Sequence, residues 1–262
     1  MGHAQRKRQH DADVAAVRTS QNGVVTRLRL KAVGWIGGAA IVCAGFIGLG
    51  NWQVHRLGWK LRLIADVNSR VHAPPVAAPG PGAWQSIGAG HGQYLHVRVQ
   101  GTYLNADETL VHGASRLGYG FWLLTPLRTR RGFIVLVNRG YLPASLPLSR
   151  KFASLNRPKG TVSVTGLLRL SEPHGGFLRP NRPEKQLWYS RDVGAIAASK
   201  GLPAGDVAPY FIDADAGPPA QWPRGGLTVI HFPNHHLGYA ITWYLLALGT
   251  VAGAVIAVRD TG

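Results

Sequence analysis

The stretch from Ala32 to Gly50, AVGWIGGAAIVCAGFIGLG, decides the fold together with a second stretch from Tyr239 to Val258, YAITWYLLALGTVAGAVIAV. Neither contains a charged residue, and they are 19 and 20 residues long. An α-helix of that length crosses the roughly 30 Å hydrocarbon core of a bilayer. A surface helix of a soluble protein would carry a polar face, which both stretches lack. The sequence therefore predicts two transmembrane helices that bracket one large polar segment.

These spans divide the chain into five segments. We predict a basic tail at 1–31, a first transmembrane helix at 32–51, a central domain at 52–238, a second transmembrane helix at 239–258 and a short tail at 259–262. The first tail carries seven Lys and Arg residues against two Asp residues. Such an excess of positive charge keeps a tail in the cytoplasm. Both termini are then cytoplasmic, and the central domain lies outside.

The membrane is predicted to be the bacterial inner membrane, with the mitochondrial inner membrane as the alternative. Asp11 and Asp13 interrupt the N-terminal tail, whereas transit peptides are poor in acidic residues. The single cysteine, Cys43, lies inside the first span. No disulfide can form within the chain, so the outer domain must be stable without one.

Positive charge is concentrated in the central domain. The chain has a formal net charge of +17; residues 52–238 hold 21 of the 29 Lys and Arg against 9 of the 12 Asp and Glu, which leaves +12 there. A basic domain suggests anionic lipid headgroups, an acidic ligand or nucleic acid as partner. Nucleic acid is disfavoured, because no zinc-finger or RNA-recognition signature is present. The alternative is that many of these residues serve solubility.

The central domain is predicted to be mostly antiparallel β structure with one or two helices, an α+β fold. A helix over 52–70 continues the first span, and a Pro- and Gly-rich linker follows at 73–92. A short helix is predicted at Asp192–Lys200, capped by Asp192 and stopped by Gly201. Alternating apolar residues predict eight strands: Tyr94–Leu104, Glu108–His112, Phe121–Leu127, Phe133–Asn138, Thr161–Leu170, Gln186–Ser190, Pro209–Asp213 and Leu227–Phe232.

No catalytic motif stands out, and we predict that the protein is not an enzyme. The sequence contains no G-x-S-x-G, H-E-x-x-H or Walker A pattern. Asp213 and Asp215 are interpreted as turn residues before a Gly-Pro-Pro run. Arg139, in Val-Asn-Arg-Gly, is interpreted as supporting a β-turn before Gly140.

Histidines lie where both spans meet the outer face of the membrane. His55 follows the first span, and His231, His235 and His236 precede the second. Antiparallel spans place these residues at the same face. Neutral imidazole ligates haem iron, and Arg or Lys side chains pair with haem propionates.

Arg56 and Lys60 are cations near this face, four residues apart on the proposed helix. As like charges they destabilise an isolated helix by about 0.2–0.5 kcal/mol, which an anionic partner would offset. Aromatic surface at this level comes from Trp52, Trp59, Tyr239, Trp243 and Tyr244. The alternative is that all these residues are interfacial anchors, the aromatics as a belt and the cations reaching for headgroups.

Each span also carries a G-x-x-x-G pattern of the kind that lets helices pack closely. The pairs are Gly34 with Gly38 and Gly249 with Gly253. They either pack against each other or dock on the helix of a partner.

A series of short motifs runs along nearly the whole chain. Trp52 and Gln53, followed by Arg56 and Lys60, come directly after the first span. The later motifs are Gly101-Thr102-Tyr103, Gly118-Tyr119-Gly120, Thr125-Pro126-Leu127, Val137–Pro143, Asn181 with Pro183 and Trp188, and Asn234–Tyr244. In this order, between two spans, they resemble a bacterial member of the Surfeit-locus cytochrome c oxidase assembly family, which includes Shy-type factors.

The resemblance implies an assembly factor that helps to build the haem-copper centre of the largest oxidase subunit. Bacterial relatives are expected to bind haem a through the histidine before the second span, which is His236 here. The site implied consists of His236 as ligand of the haem iron, His235 and His55 as further imidazoles, Arg56 and Lys60 as propionate partners, and Tyr239 and Trp243 as aromatic surface. Expected partners are the largest oxidase subunit, membrane lipids and the enzymes of haem a synthesis. The competing hypothesis is a scaffold that binds no cofactor.

Overall fold

The structure, a computed structural model, describes residues 2–88, 90, 92–146, 157–176, 178–230 and 232–260, with side chains from residue 33 onward. The chain divides into two compact units. Met1–Ile64 with Phe232–Gly262 form one, here called the helical unit, and Ala65–His231 form the other, the barrel unit. The described α-helices are α1 (Gly2–His72), α2 (Val193–Ser199) and α3 (His236–Arg259).

The helical unit contains the two long apolar helices. Val33–His72 within α1 and the whole of α3 are long and apolar enough to cross a membrane. Only 6 % of the residues in the most apolar window of each are buried within the protein, whereas a core helix of a soluble protein would be mostly buried. The predicted pair of apolar helices flanking a β-rich domain is confirmed.

Helix α1 continues well beyond the first span, as the 3–4-residue spacing of its apolar side chains predicted. Val67, on that stripe, is 5 % exposed. The helix ends at His72, just before Pro74 and Pro75. Proline removes a backbone donor and forces the preceding residue out of the helical conformation, which fixes this end.

The barrel unit is a seven-stranded sheet, five strands of which close into a ring in the order β2-β6-β7-β5-β4-β2. The strands are β1 (Val76–Ala77), β2 (His96–Tyr103), β3 (Thr109–Ser115), β4 (Gly118–Thr129), β5 (Ile134–Pro143), β6 (Thr161–Leu170) and β7 (Val207–Ala214). Within the ring only β5 and β7 run parallel. Strand β3 continues the sheet beyond β4, and β1 lies parallel to β2.

The ring closes where β2 leaves β6 and pairs with β4. Gly101 is paired with Val162 on one side and with Thr129 on the other. A Cβ at this position would lie 2.3 Å from the carbonyl oxygen of Arg128. Closure at this point therefore requires glycine, which accounts for the first residue of the Gly-Thr-Tyr motif.

Two apolar cores cover opposite faces of the central strands. One is built from alternate side chains of the barrel strands: Val97, Val99, Leu127, Val135, Val137, Leu168, Tyr210 and Ile212. The other packs α2 and Trp188 against Ile134, Leu136 and Phe211. Strand β5 contributes to both, which explains its unbroken run Ile134–Val137, since a strand buried on both faces loses the polar alternation.

Most helices and strands were predicted correctly from the local sequence pattern. Six predicted strands correspond to β2–β7, and β6 has the predicted bounds. Helix α2 is present, with Asp192 accepting a hydrogen bond from the Ala195 N–H at 3.1 Å and Gly201 at φ +64° after it. The short strand β1 was not predicted; it lies in residues 73–92, which also place Ala78 and Trp84 in the first core.

Two predicted strands are wrong. Gln186–Ser190 forms only isolated bridges, Val111 with Trp188 and Arg182 with Leu187, after a 3-10 turn at Pro183–Lys185. The described residues of 227–232 have no regular secondary structure. Both segments were predicted as strands because they contain apolar residues. In the structure they bury single side chains, such as Trp188 and Leu227, without pairing as β-strands.

Candidate functional site

The end of the first apolar span meets the start of α3 within the helical unit. The Nδ1 atom of His236, the first residue of α3, lies 2.7 Å from Oε1 of Gln53 on α1. Eight residues further along α3, the Tyr244 hydroxyl donates at 2.8 Å to Oδ1 of Asn51, which precedes Gln53 by two residues on α1. The ring of Trp243 stacks on Phe46 at 5.7 Å between centroids. We call the contact between residues 46–60 and 232–244 the helix junction.

The hydrogen bond to Gln53 sets the chemistry of His236. A carbonyl oxygen only accepts, so Nδ1 carries the proton and donates it. In the neutral form of an imidazole that donates through Nδ1, Nε2 presents a lone pair. Metal-binding histidines are commonly held in this way, with one ring nitrogen donating to a carbonyl and the other on the metal. His236 is half-buried, so its ring is fixed but reachable.

The structure separates His236 from the other two candidate histidines. His55 is exposed and lies two residues from Gln53, which turns it about 200° around α1 from the face that meets His236. His235 is exposed at the N-cap of α3, and its side chain makes no capping hydrogen bond. His231 lies outside the described residues. Within the described part of the chain, no three His, Cys, Asp or Glu residues are grouped to hold a metal ion.

The two candidate cations lie on the same side of α1 as Gln53. Arg56 and Lys60 follow it by three and seven residues, the spacing of one helix face. The Arg56 guanidinium lies 4.5 Å from the centre of the Trp59 ring, and Lys60 Nζ lies 5.6 Å from that of Phe232. Neither forms an ion pair with a described acidic residue. Both positive charges therefore remain available to an anion.

Of the two aromatic candidates, Trp243 belongs to the junction through its stacking on Phe46. Tyr239 is 58 % exposed and one turn earlier on α3. The structure thus brings together Gln53, His236 and Trp243, with Arg56 and Lys60 on the adjoining face, and leaves His55, His235 and Tyr239 exposed.

A second polar cluster lies in the barrel unit, around Arg139. This residue is the extra one at a bulge in β5 opposite Leu123 and Leu124, and it ion-pairs with Glu108 at 3.3 Å. Both side chains are 8 % exposed. Arg157 also pairs with Glu108 at 2.7 Å. The turn interpretation of Arg139 is therefore wrong: a bulge re-aims the side chain into a buried ion pair while the strand continues.

Burial governs the ionisation of this cluster. Desolvation lowers the pKa of Arg139, and the charge of Glu108 partly offsets it. The ring of Tyr103 lies under the Arg139 guanidinium at 4.8 Å, and burial raises the pKa of Tyr103 to about 12. Tyr103 therefore stays neutral and Arg139 keeps its carboxylate partner.

Asp213 lies at the centre of a third cluster and is not the turn residue that the sequence suggested. It is 4 % exposed in β7. Its carboxylate accepts from Asn138 at 2.7 Å and from Thr228 at 2.9 Å, and it ion-pairs with Arg169 at 3.1 Å. Arg191 adds a further contact at 3.4 Å. This fully engaged carboxylate joins β5, β6 and β7 and has a structural role.

Comparison with known proteins settles the family. A model of the SURF1 family matches residues 40–248, most of the chain. The chain belongs to the SURF1 family. It is 34 % identical over 221 residues to Surfeit locus protein 1 of Rattus norvegicus, covering 78 % of this chain and 69 % of the rat protein. To the human protein of the same name it is 34 % identical over 224 residues, covering 78 % of this chain and 70 % of the human protein. To the SURF1-like protein of Monosiga brevicollis it is 34 % identical over 229 residues, covering 82 % of this chain and 84 % of that protein.

The SURF1 match includes both sides of the helix junction and all seven strands. Gln53 belongs to the motif that follows the first span, and the sequence alone assigned it no role. A role for Gln53 was nevertheless indicated by its spacing, because Gln53, Arg56 and Lys60 lie at i, i+3 and i+7 and so share one helix face. What it could not show was which residue of α3 faces Gln53.

The glycine patterns of this SURF1-family chain do not hold the two helices together. A Cβ at Gly34, Gly38, Gly249 or Gly253 would meet nothing within 4 Å. The helices instead touch at Gly50, whose Cβ would lie 2.6 Å from the Tyr244 ring, and at Cys43 beside Ala247. Of the two alternatives for these glycines, packing against each other is therefore wrong.

Proposed function

We propose that this protein is a membrane-anchored assembly factor for cytochrome c oxidase, which holds haem a at the helix junction and assists its delivery to the largest oxidase subunit. The observation that carries the proposal is the hydrogen bond between His236 and Gln53. It leaves Nε2 of a half-buried imidazole free at the point where two apolar helices meet. Haem a is cargo in this scheme: the protein binds it through a reversible bond from His236 Nε2 to the iron, releases it on transfer, and leaves the covalent structure of the haem unchanged.

The residues at the junction fit such a cargo. His236 Nε2 supplies a nitrogen ligand of the kind that haem iron takes. Arg56 and Lys60 lack acidic partners among the described residues and supply positive charge for the propionates. Trp243 offers an apolar wall that Phe46 fixes in place. His235 and Tyr239 are exposed and are further contacts in this proposal, whereas His55, on the other face of α1, is left out of it.

The proposed location is the inner membrane of a bacterium, with both termini in the cytoplasm and the barrel unit outside. The support is the basic N-terminal tail and the two exposed apolar helices. The alternative is the mitochondrial inner membrane, and the relatives compared above are eukaryotic. Proposed partners are the largest oxidase subunit, the surrounding lipids and the enzymes that make haem a.

The test is to co-express the full chain with the enzymes of haem a synthesis and to record its absorption spectrum after purification in detergent. We expect a Soret band and a reduced α-band of haem a. His236→Ala should abolish them, and His55→Ala, as a matched control on the other face of α1, should retain them. A colourless wild-type protein that still co-purifies with the largest oxidase subunit would overturn haem delivery.

The open glycine faces favour a second candidate function, a scaffold that docks on transmembrane helices of the oxidase. Gly249 and Gly253 have free space above them, which is what a closely packed partner helix needs. In this case Gly249→Leu or Gly253→Leu reduces co-purification with the oxidase more than His236→Ala does. If both glycine variants co-purify normally, the scaffold proposal fails.

A further inference from the structure

A cleft in the barrel unit has no part in the functions proposed above. It has a volume of about 660 Å³ and lies between β6, the turn before β4 and the loop that follows β7. Its size falls in the range of about 300–1,000 Å³ that is typical of ligand sites. Trp222, Leu227 and four prolines give it apolar walls, and Arg116, Arg139 and Arg224 give it positive charge.

Two of these arginines have no acidic partner. All nine acidic residues of 52–238 lie in the described part of the chain, and none of them pairs with Arg116 or Arg224. The single acid that lines the cleft, Asp215, is already bound by His96 at 2.9 Å. The cleft therefore carries an excess of positive charge that the barrel unit does not neutralise.

Arg224 is held in position before any ligand arrives. Its guanidinium lies 4.5 Å from the centre of the Trp222 ring. Its backbone exchanges two hydrogen bonds with Tyr141, at 2.9 and 3.1 Å. The neighbouring Gly140 permits this approach with φ +135°, because a Cβ there would lie 2.2 Å from the Arg224 carbonyl carbon. A fixed guanidinium loses little freedom on binding a carboxylate.

We propose that this cleft binds an acidic peptide segment of a partner protein. Guanidinium groups recognise carboxylates through paired hydrogen bonds, and Arg116 and Arg224 supply two such groups in one cleft. The volume exceeds what an inorganic anion needs, and the tryptophan and proline walls suit the apolar parts of a peptide. The positive charge complements the acidic side chains, so the peptide's charge pattern selects the partner.

The test measures binding of a fluorescent peptide of alternating Glu and Pro to the full chain in a zwitterionic detergent. The double variant Arg116→Glu/Arg224→Glu removes both unpaired cations of the cleft. The matched control, Arg128→Glu/Arg182→Glu, makes the same charge change at two exposed arginines outside it. We expect the cleft variant to bind roughly tenfold to hundredfold more weakly, the worth of one or two charge-assisted contacts, and the control to stay within about threefold of wild type.

Other outcomes overturn the proposal. An equal loss of peptide affinity in both double variants would mean that the peptide binds only through the overall charge of the protein. Binding of inorganic phosphate at the cleft with no binding of the peptide would mean a site for small anions. Both arginines are exposed, so the variants should fold, and an unchanged thermal unfolding midpoint verifies this.

Discussion

Gln53 and His236 are 183 positions apart in the chain, yet a hydrogen bond of 2.7 Å joins their side chains. At the scale of single residues, this contact decides which nitrogen of His236 is free. Gln53 therefore acts as a positioning residue in the proposed haem site, with no need to touch the cargo itself.

Replacing Gln53 with Ala should weaken haem a binding while leaving His236 in place. Loss of a partner that orients a metal-binding histidine typically costs about 10–100-fold in affinity. Haem a titration followed at the Soret band measures the change. His55→Ala, on the other face of α1, should bind like wild type, and an undiminished affinity in Gln53→Ala would contradict the positioning role.

Glu108 holds two arginines, one buried and one exposed. Glu108→Gln should destabilise the barrel unit by about 3–5 kcal/mol, because it leaves the Arg139 charge buried without its counter-ion. Arg157 is 40 % exposed, so Arg157→Ala should cost less than about 1 kcal/mol. Chemical unfolding followed by tryptophan fluorescence compares the two, and similar costs for both variants would be inconsistent with a buried pair.

His96 lies between two hydrogen-bond acceptors. Nδ1 is 2.9 Å from the carbonyl oxygen of Ala73, and Nε2 is 2.9 Å from the carboxylate of Asp215. Only the protonated ring donates to both. Burial lowers the pKa of His96, as does Arg98, but the contacts with Asp215 and Ala73 outweigh them and raise the pKa above its ordinary value of 6.5.

The stability of the barrel unit should therefore depend on pH through His96. A histidine whose pKa is higher in the folded than in the unfolded state stabilises the folded protein in full below about pH 6.5. This stabilisation is lost as the pH rises through the raised folded-state pKa. The thermal unfolding midpoint of wild type should exceed that of His96→Gln by more at about pH 5.5 than at about pH 8.5. A difference that grows with rising pH would contradict this assignment.

At the scale of elements, the strands show what local sequence can and cannot predict. Strand β6 alternates apolar and polar residues, and α2 has a cap and a glycine stop, so both were predicted from nearby residues. The bulge at Arg139 was not, because it depends on how β5 meets β4. The same holds for Asp213, whose partner Asn138 is 75 positions away and whose burial requires the ring to close.

Closure of the ring itself can be tested at Gly101. An added Cβ would lie 2.3 Å from the Arg128 carbonyl oxygen, so Gly101→Ala must separate β2 from β4. We expect a loss of about 1–3 kcal/mol and faster amide exchange at Thr102 and Thr129. Gly205→Ala is the control, since a Cβ there meets nothing within 4 Å. Unchanged exchange in Gly101→Ala would show that β2–β4 pairing is dispensable.

At the scale of the whole molecule, the chain separates two tasks. The helical unit contains two apolar helices that expose most of their side chains, as membrane-spanning helices do, and it carries the candidate haem site at its junction. The barrel unit carries buried ion pairs that stabilise it without disulfides, and a basic cleft for a partner. Composition and length predicted the two apolar helices and the β-rich domain from the sequence, whereas the pairing of Gln53 with His236 required the fold.

The most direct test of the central claim is the absorption spectrum of His236→Gly, co-expressed with the enzymes of haem a synthesis, with and without added imidazole. If His236 Nε2 is the haem ligand, the variant should lose the haem a bands, and free imidazole should restore them during reconstitution with haem a. Haem a bands of wild-type intensity in His236→Gly without imidazole would contradict the account.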